Sequence, residues 1–107
     1  MSSADERLSD AGRAAMSAAE SFEVAAGARR NRLMALWAAE KMGLSDEMRE
    51  NYARALENYH AERPGEEDVI RKISGDLMAA NIAVRDSEVW TRAVECMAQA
   101  REALKAG

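Results

Sequence analysis

The chain has 107 residues, which is enough for one hydrophobic core and too few for a multidomain enzyme. Its formal net charge is −4 and its lysines and arginines form no basic block, which argues against a nucleic-acid-binding protein. No apolar run reaches membrane-spanning length, and the N-terminal sequence lacks the basic start and apolar centre of a secretory signal. We therefore expect a cytoplasmic, single-domain protein that inserts into no membrane.

Residues 1–27, which we call the arm, have a weak helical pattern. Apolar residues recur there at helical spacing, but most of them are small. Two glycines and several serines lower the helix propensity further. We expect the arm to be weakly helical or disordered until a partner covers it. Its stripe consists of Leu8, Ala11, Ala15, Ala19 and Phe22.

The first strong helix is predicted over residues 28–42. Gly43 is suited to end it in the left-handed conformation, and Ser45 to cap a second helix over residues 46–62, which Pro64 stops. The two apolar stripes consist of Leu33, Met34, Leu36 and Trp37, and of Met48, Tyr52, Ala55, Leu56 and Tyr59.

Two more helices are predicted over residues 66–80 and 87–105, the second after a cap at Asp86, with residues 82–84 as an extended connector. Each helix has one apolar stripe and the connections are short. We therefore predict an all-α fold, a four-helix bundle with antiparallel neighbours and a partly ordered N-terminal segment. The last two stripes consist of Val69, Ile70, Ile73, Leu77 and Ala80, and of Val89, Trp90, Ala93, Val94, Met97, Ala100 and Leu104.

The sequence shows no conventional active site. His60 is the only histidine and Cys96 the only cysteine, so a zinc site or a cysteine–histidine pair lacks ligands or partners. Glycine-rich phosphate loops are absent. We expect no enzyme, metal or cofactor and interpret Cys96 as a small buried hydrophobe. An acid–base pair of carboxylates stays open as an alternative, although no pair can be assigned.

The largest apolar side chains are interpreted as core residues, because they lie on the helical stripes. The alternatives are a methionine-rich groove and a tryptophan that anchors a partner. The residues concerned are Trp37, Trp90, Met34, Met48, Met78 and Met97.

Two groups of charged residues border the stripes of the first and third helices. We interpret them as structural ion pairs, in which Arg29 and Arg30 meet Glu66 or Glu67. The alternative is that long charged side chains present fixed charge to a partner or ligand. The residues concerned are Arg29, Arg30, Arg32, Glu66, Glu67 and Lys72.

Two sequence blocks resemble a known family. The block ARRNRLMALWAAEKMG at residues 28–43 is followed, after the second helix, by GEEDVIRKISGDL at residues 65–77. In order, separation and chain length they resemble the ATP synthase inhibitor subunit zeta of alphaproteobacteria. The likeness extends from Ala28 to near the C-terminus. It implies a four-helix, non-catalytic protein that binds the catalytic head of the F-type ATP synthase and blocks ATP hydrolysis.

In the family that the chain resembles, an N-terminal arm inserts into the catalytic head as a helix while the helical body holds it. An arm that becomes helical on binding agrees with the weak stripe of residues 1–27. We assign Leu8, Met16 and Phe22 as its partner-binding anchors. The DER at residues 5–7 matches the family, but alanine and serine replace most of its aromatic anchors, so weaker binding is expected.

The alternative function is a diverged four-helix module that binds a nucleotide or a protein without inhibiting an ATPase. Its candidate site for an adenine nucleotide is a cleft lined by Arg29, Arg30 and Lys72, although no nucleotide-binding motif supports it.

Overall fold

The computed structural model describes residues 3–59 and 66–106, with side chains of the first helix from Ser17 onward. Within these ranges the chain forms helices and connecting turns and no strand. The predicted all-α fold with four helices is confirmed. The predicted stop at Pro64 and the single histidine, His60, lie outside the described residues. The helices are α1 (Ser3–Lys41), α2 (Asp46–Glu57), α3 (Glu67–Ala79) and α4 (Asp86–Ala106).

Helix α1 is much longer than the helix predicted over residues 28–42. It has 39 residues, corresponding to about 58 Å of helix, and the longest dimension of the molecule is 62 Å. Its first half is rich in alanine, and the two glycines of α1, Gly12 and Gly27, each weaken a helix by only about 1 kcal/mol relative to alanine. Residues 3–27 of the arm and the first predicted helix are therefore one continuous helix.

The turn between α1 and α2 has the predicted capping residues. Gly43 has a φ of +69°, and its N–H donates to the Glu40 carbonyl while that of Leu44 donates to the Ala39 carbonyl. This is a Schellman motif, in which a left-handed residue satisfies the last carbonyls of a helix. Ser45 Oγ accepts a hydrogen bond from the Met48 N–H at 3.3 Å. Both predicted caps are confirmed.

Helix α3 ends in the same motif with an asparagine in the left-handed position. Asn81 has a φ of +61°, and the Ile82 N–H donates to the Leu77 carbonyl at 2.9 Å. Asparagine is one of the few residues other than glycine that adopts this conformation readily. Residues 82–85 then form a connector without regular structure, and α4 begins at Asp86 itself. The prediction of Asp86 as the residue before the helix was one position off.

The second half of α1 is the centre of the bundle. It packs against α2, α3 and α4, and α3 also packs against α4. We call the bundle formed by α2, α3, α4 and the part of α1 packed on them the body. Its main core cluster consists of Met34, Ala35, Ala38, Ala53, Leu56, Val69, Ile70, Ile73, Leu77, Val89, Ala93 and Cys96.

Several large side chains assigned to the core are exposed instead. Met78 is 76% exposed, Val94 63%, Met48 56% and Trp90 41%. The outer helices present a narrow face to the small, alanine-rich surface of α1, so residues at the edges of their stripes remain in solvent. Trp37 is half-buried, and both Lys41 Nζ and the Arg92 guanidinium lie over its ring, 5.2 and 5.3 Å from the ring centroid.

Candidate functional site

Helix α1 leaves the body near Phe22. Residues 17–21 are exposed, Phe22 is half-buried and Ala26 is fully buried. Glu23 accepts hydrogen bonds through both carboxylate oxygens from Arg101 Nη2 on α4, each at 3.2 Å. The side chains of Glu23 and Ala26 are thus part of the body although they precede Ala28. We call residues 3–21 the projecting segment.

Of the three predicted anchors, only Phe22 has a described side chain. It is half-buried at the point where α1 leaves the body. Leu8 and Met16 lie in the projecting segment of α1, but their side chains lie outside the described residues. The described side chains that precede Phe22, those of residues 17–21, are all exposed on the helix surface.

We call the point near Phe22 at which α1 leaves the body the junction. A buried arginine and a buried asparagine follow it along α1. Arg30 is 5% exposed and Asn31 1% exposed. Arg30 Nε and Nη2 donate to Asn31 Oδ1 at 3.2 and 3.1 Å. Asn31 Nδ2 in turn donates to the backbone carbonyl of Tyr59 at 3.1 Å. The pair thereby connects α1 to the residues that follow α2.

Glu66, just before α3, faces the same guanidinium. Arg30 Nη1 lies 4.0 Å from Glu66 Oε2, and Glu66 is one of the two carboxylates expected to meet this arginine. Burial lowers the pKa of Arg30 below its ordinary value, and the Glu66 carboxylate opposes that shift. A buried charge requires an opposite charge and hydrogen-bond partners to be tolerated. Arg30 therefore has a structural role that joins α1 to both ends of the α2–α3 connection.

Arg32 pairs with α2 rather than α3. Its Nη2 donates to both carboxylate oxygens of Glu50, at 3.0 and 2.8 Å, and its Nη1 lies 3.7 Å from Glu57 Oε2. The hydrogen bonds between the two groups lower the pKa of Glu50 and raise that of Arg32. Two carboxylates therefore compensate the charge of Arg32 within the body, and Glu50 also lies 3.6 Å from Arg54.

The remaining charged candidates are dispersed. Arg29 is exposed and has no ion pair among the described residues, and the same holds for Glu67. Lys72 pairs with Asp76 at 3.2 Å within α3. The open groove that includes Arg29 is lined by Arg32 and not by Arg30 or Lys72. The structure therefore does not bring Arg29, Arg30 and Lys72 together in this groove.

The described residues contain no group of three or more histidine, cysteine or acidic side chains that is arranged to hold a metal ion. Cys96 is buried, and burial raises the pKa of its thiol, which disfavours the reactive thiolate. Across the same residues, no helix has an apolar stretch long enough to cross a bilayer.

The sequence patterns missed two contacts of the junction. Asn31 was not singled out, although a polar residue on the buried face of a helix is a usable signal for a buried hydrogen bond. The Glu23–Arg101 pair joins residues far apart in the chain, and nothing in the local sequence of either one indicates the other.

Comparison with known proteins finds a matching protein family and a similar solved structure. A family model described as ATPase inhibitor subunit zeta matches residues 1–103, so the match includes the arm as well as the body. A solved structure described as a solution NMR structure of a protein is 36% identical in sequence, with a TM-score of 0.66. That similarity covers 79% of this chain and 96% of the other. No curated protein matches the chain.

Proposed function

This chain belongs to the ATPase inhibitor subunit zeta family, and from that premise we propose that its projecting segment binds the catalytic head of the F-type ATP synthase and blocks ATP hydrolysis. In this proposal the protein is a non-catalytic regulatory subunit that acts in the cytoplasm. The body holds the helix, and the projecting segment enters a cleft of the catalytic head.

The observation that carries the proposal is the continuity of α1. One helix runs from Ser3 to Lys41, its second half forms the centre of the body, and the side chains of residues 17–21 are exposed. A helix fixed at one end reaches a cleft at a defined angle and loses less conformational entropy on binding than a free peptide. Helix-in-groove binding uses residues at helical spacing as anchors.

The proposed anchors remain Leu8, Met16 and Phe22. Leu8 and Phe22 share one side of α1 with the alanines of the predicted stripe, because these residues follow one another at steps of three or four. Met16 lies off that line, which is compatible with a helix contacted on several sides inside a cleft. The small alanine side chains allow close approach of the partner but supply little binding energy each.

The experiment that tests the proposal is ATP hydrolysis by the purified cognate catalytic head with two forms of the protein. One is the full chain, and the other begins at Phe22, which keeps Glu23, Ala26 and their contacts with the body. We expect inhibition by the full chain and none by the shortened one, with both giving cooperative unfolding. Inhibition by the shortened form would contradict the proposal. A form that begins at Ala28 is a poorer control because it removes a buried residue and the Glu23–Arg101 pair.

The alternative, binding of an adenine nucleotide, has less support from the geometry. Arg30 is buried against Asn31 and Glu66, and Lys72 pairs with Asp76. The charges of Arg30 and Lys72, the other two residues of the predicted cleft, are therefore compensated internally. Titration with ADP, followed by amide chemical shifts, tests this alternative, and shifts confined to residues around Arg29 would support it.

A further inference from the structure

An open groove lies on the outward side of α1 at the junction. Its volume is about 510 Å³, and it is bordered by the ends of α2 and α4 through Glu57 and Leu104. Its floor is apolar and small, with Ala25 and Ala28 of α1. Arg29 and Arg32 supply its positive charge.

The charge of the groove is not fully balanced among the described residues. Arg32 lies 3.7 Å from Glu57, and both belong to the groove, so this pair compensates itself. Arg29 is exposed and is left without an ion pair among the described residues. The groove therefore combines an apolar floor with one uncompensated guanidinium, which binds a carboxylate through a planar, two-pronged pair of hydrogen bonds.

The groove is continuous with the surface that enters the catalytic head in the proposed function. Ala18, Phe22, Ala25 and Arg29 follow one another at spacings of three or four residues and lie on one side of α1. Ala18, Ala25 and Arg29 are exposed and Phe22 is half-buried. A partner that contacts the projecting segment on this side meets the groove within about two helical turns of Phe22.

We propose that the contact with the ATPase extends from the projecting segment onto the body through this groove, and that Arg29 pairs there with a carboxylate of the catalytic head. This inference rests on the proposed function. It assigns Arg29 to partner recognition, whereas its neighbours Arg30 and Arg32 have structural roles. It also predicts an acidic side chain on the head, beside an apolar one that covers Ala25.

The test uses full-length variants and the purified catalytic head, with half-inhibiting concentration and dissociation constant as readouts. Arg29→Glu is expected to weaken binding about tenfold or more, and Arg29→Lys to weaken it less. The matched control is Arg85→Glu, the same charge change at an exposed residue of the α3–α4 connector. Equal helical content by circular dichroism verifies that the variants fold.

The outcomes separate the two proposals. If the natural chain inhibits and the Arg29→Glu variant inhibits equally strongly, the groove is not a contact. That result overturns this inference and leaves the proposed function standing. Equal weakening by Arg29→Glu and Arg85→Glu reflects net charge alone and overturns the inference too. If the natural chain neither binds nor inhibits, both proposals fail. A second variant, Ala25→Gln, adds bulk without charge and is expected to weaken binding if the groove is covered.

Discussion

The most constrained polar residues of the molecule are Arg30 and Asn31. The guanidinium is almost fully buried, and its hydrogen bonds to Asn31 Oδ1 orient the amide so that Nδ2 reaches the Tyr59 carbonyl. A buried charge is tolerated when hydrogen bonds and an opposite charge replace the water it has lost. Removal of one of these partners destabilises the folded state, because the desolvation cost is then no longer offset. These two residues therefore fix the connection between α2 and α3 against α1.

Asn31→Ala is expected to lower the free energy of unfolding by about 2–4 kcal/mol, because it removes two buried hydrogen bonds to Arg30 and one to the Tyr59 carbonyl. The measurement is urea denaturation followed by circular dichroism. Asn51→Ala, at an exposed asparagine of α2, is the matched control and is expected to change little. Equal effects of the two substitutions would show that the buried hydrogen bonds contribute no specific stability.

The hydroxyl of Tyr52 on α2 donates a 2.7 Å hydrogen bond to Asp76 Oδ2 on α3. Burial, together with this hydrogen bond and the Asp76 charge, raises the pKa of Tyr52 above its ordinary value. Because the folded state favours the neutral phenol, its stabilising contribution is present below the unfolded pKa of about 10 and is lost as the pH rises above it.

Tyr52→Phe is accordingly expected to lower the free energy of unfolding by about 1 kcal/mol at pH 7. The gap between the natural chain and the variant should narrow above about pH 10, since only the natural chain loses the contribution of this phenol. Denaturant titrations at pH 7 and in the alkaline range measure both effects. A gap that stays constant across that range would contradict the raised pKa.

At the scale of elements, α1 is both the centre of the bundle and the projecting helix. Gly27 lies inside it, one turn before Arg30, where glycine weakens a helix. A Cβ at this position would lie 3.6 Å from Arg30 Nη2, an ordinary van der Waals distance. A Cβ at Gly75 in α3 would point into open space.

Gly27→Ala and Gly75→Ala are each expected to raise the free energy of unfolding by about 0.5–1 kcal/mol. Both positions are helical and neither has a positive φ, so alanine fits without strain. Thermal or urea unfolding of the two variants measures this gain. Gly75→Ala also serves as the reference: a loss of stability for Gly27→Ala alone would show that the junction requires glycine beside the buried guanidinium.

Local sequence signals predicted α3, α4 and the turn between α1 and α2 to within about one residue, because each signal acts over a few residues. The predicted end of α2 was wrong, since the helix ends at Glu57 and not at residue 62. Gly43 and Ser45 took their predicted capping roles, since a left-handed residue and an N-cap oxygen are required at adjoining helix ends. The exposure of Met78 and Val94 was not predictable in the same way. Their exposure depends on how far apart the outer helices lie around α1. The spacing of apolar residues within one helix carries no information about that distance.

The same distinction applies to the site. The Arg30–Glu66 pair was predicted because both residues border apolar stripes that face each other. The start of α1 at Ser3 was not predicted, because helix propensity in the arm is only moderate. The continuous helix depends on the body, which fixes its second half. Spacing alone also gave no way to separate Arg29 from Arg30, which differ in burial through their position relative to α4 and the α2–α3 connection.

At the scale of the whole molecule, the projecting segment makes the protein elongated. The radius of gyration is 17.4 Å, whereas a compact chain of this length is expected to have about 13 Å. Small-angle scattering should therefore give a value near 17 Å for the full chain. The form that begins at Phe22 should approach about 12 Å, the value expected for a compact chain of its length. A compact value for the full chain would show that residues 3–21 fold back onto the body, where they would have to be released before they reached the ATPase.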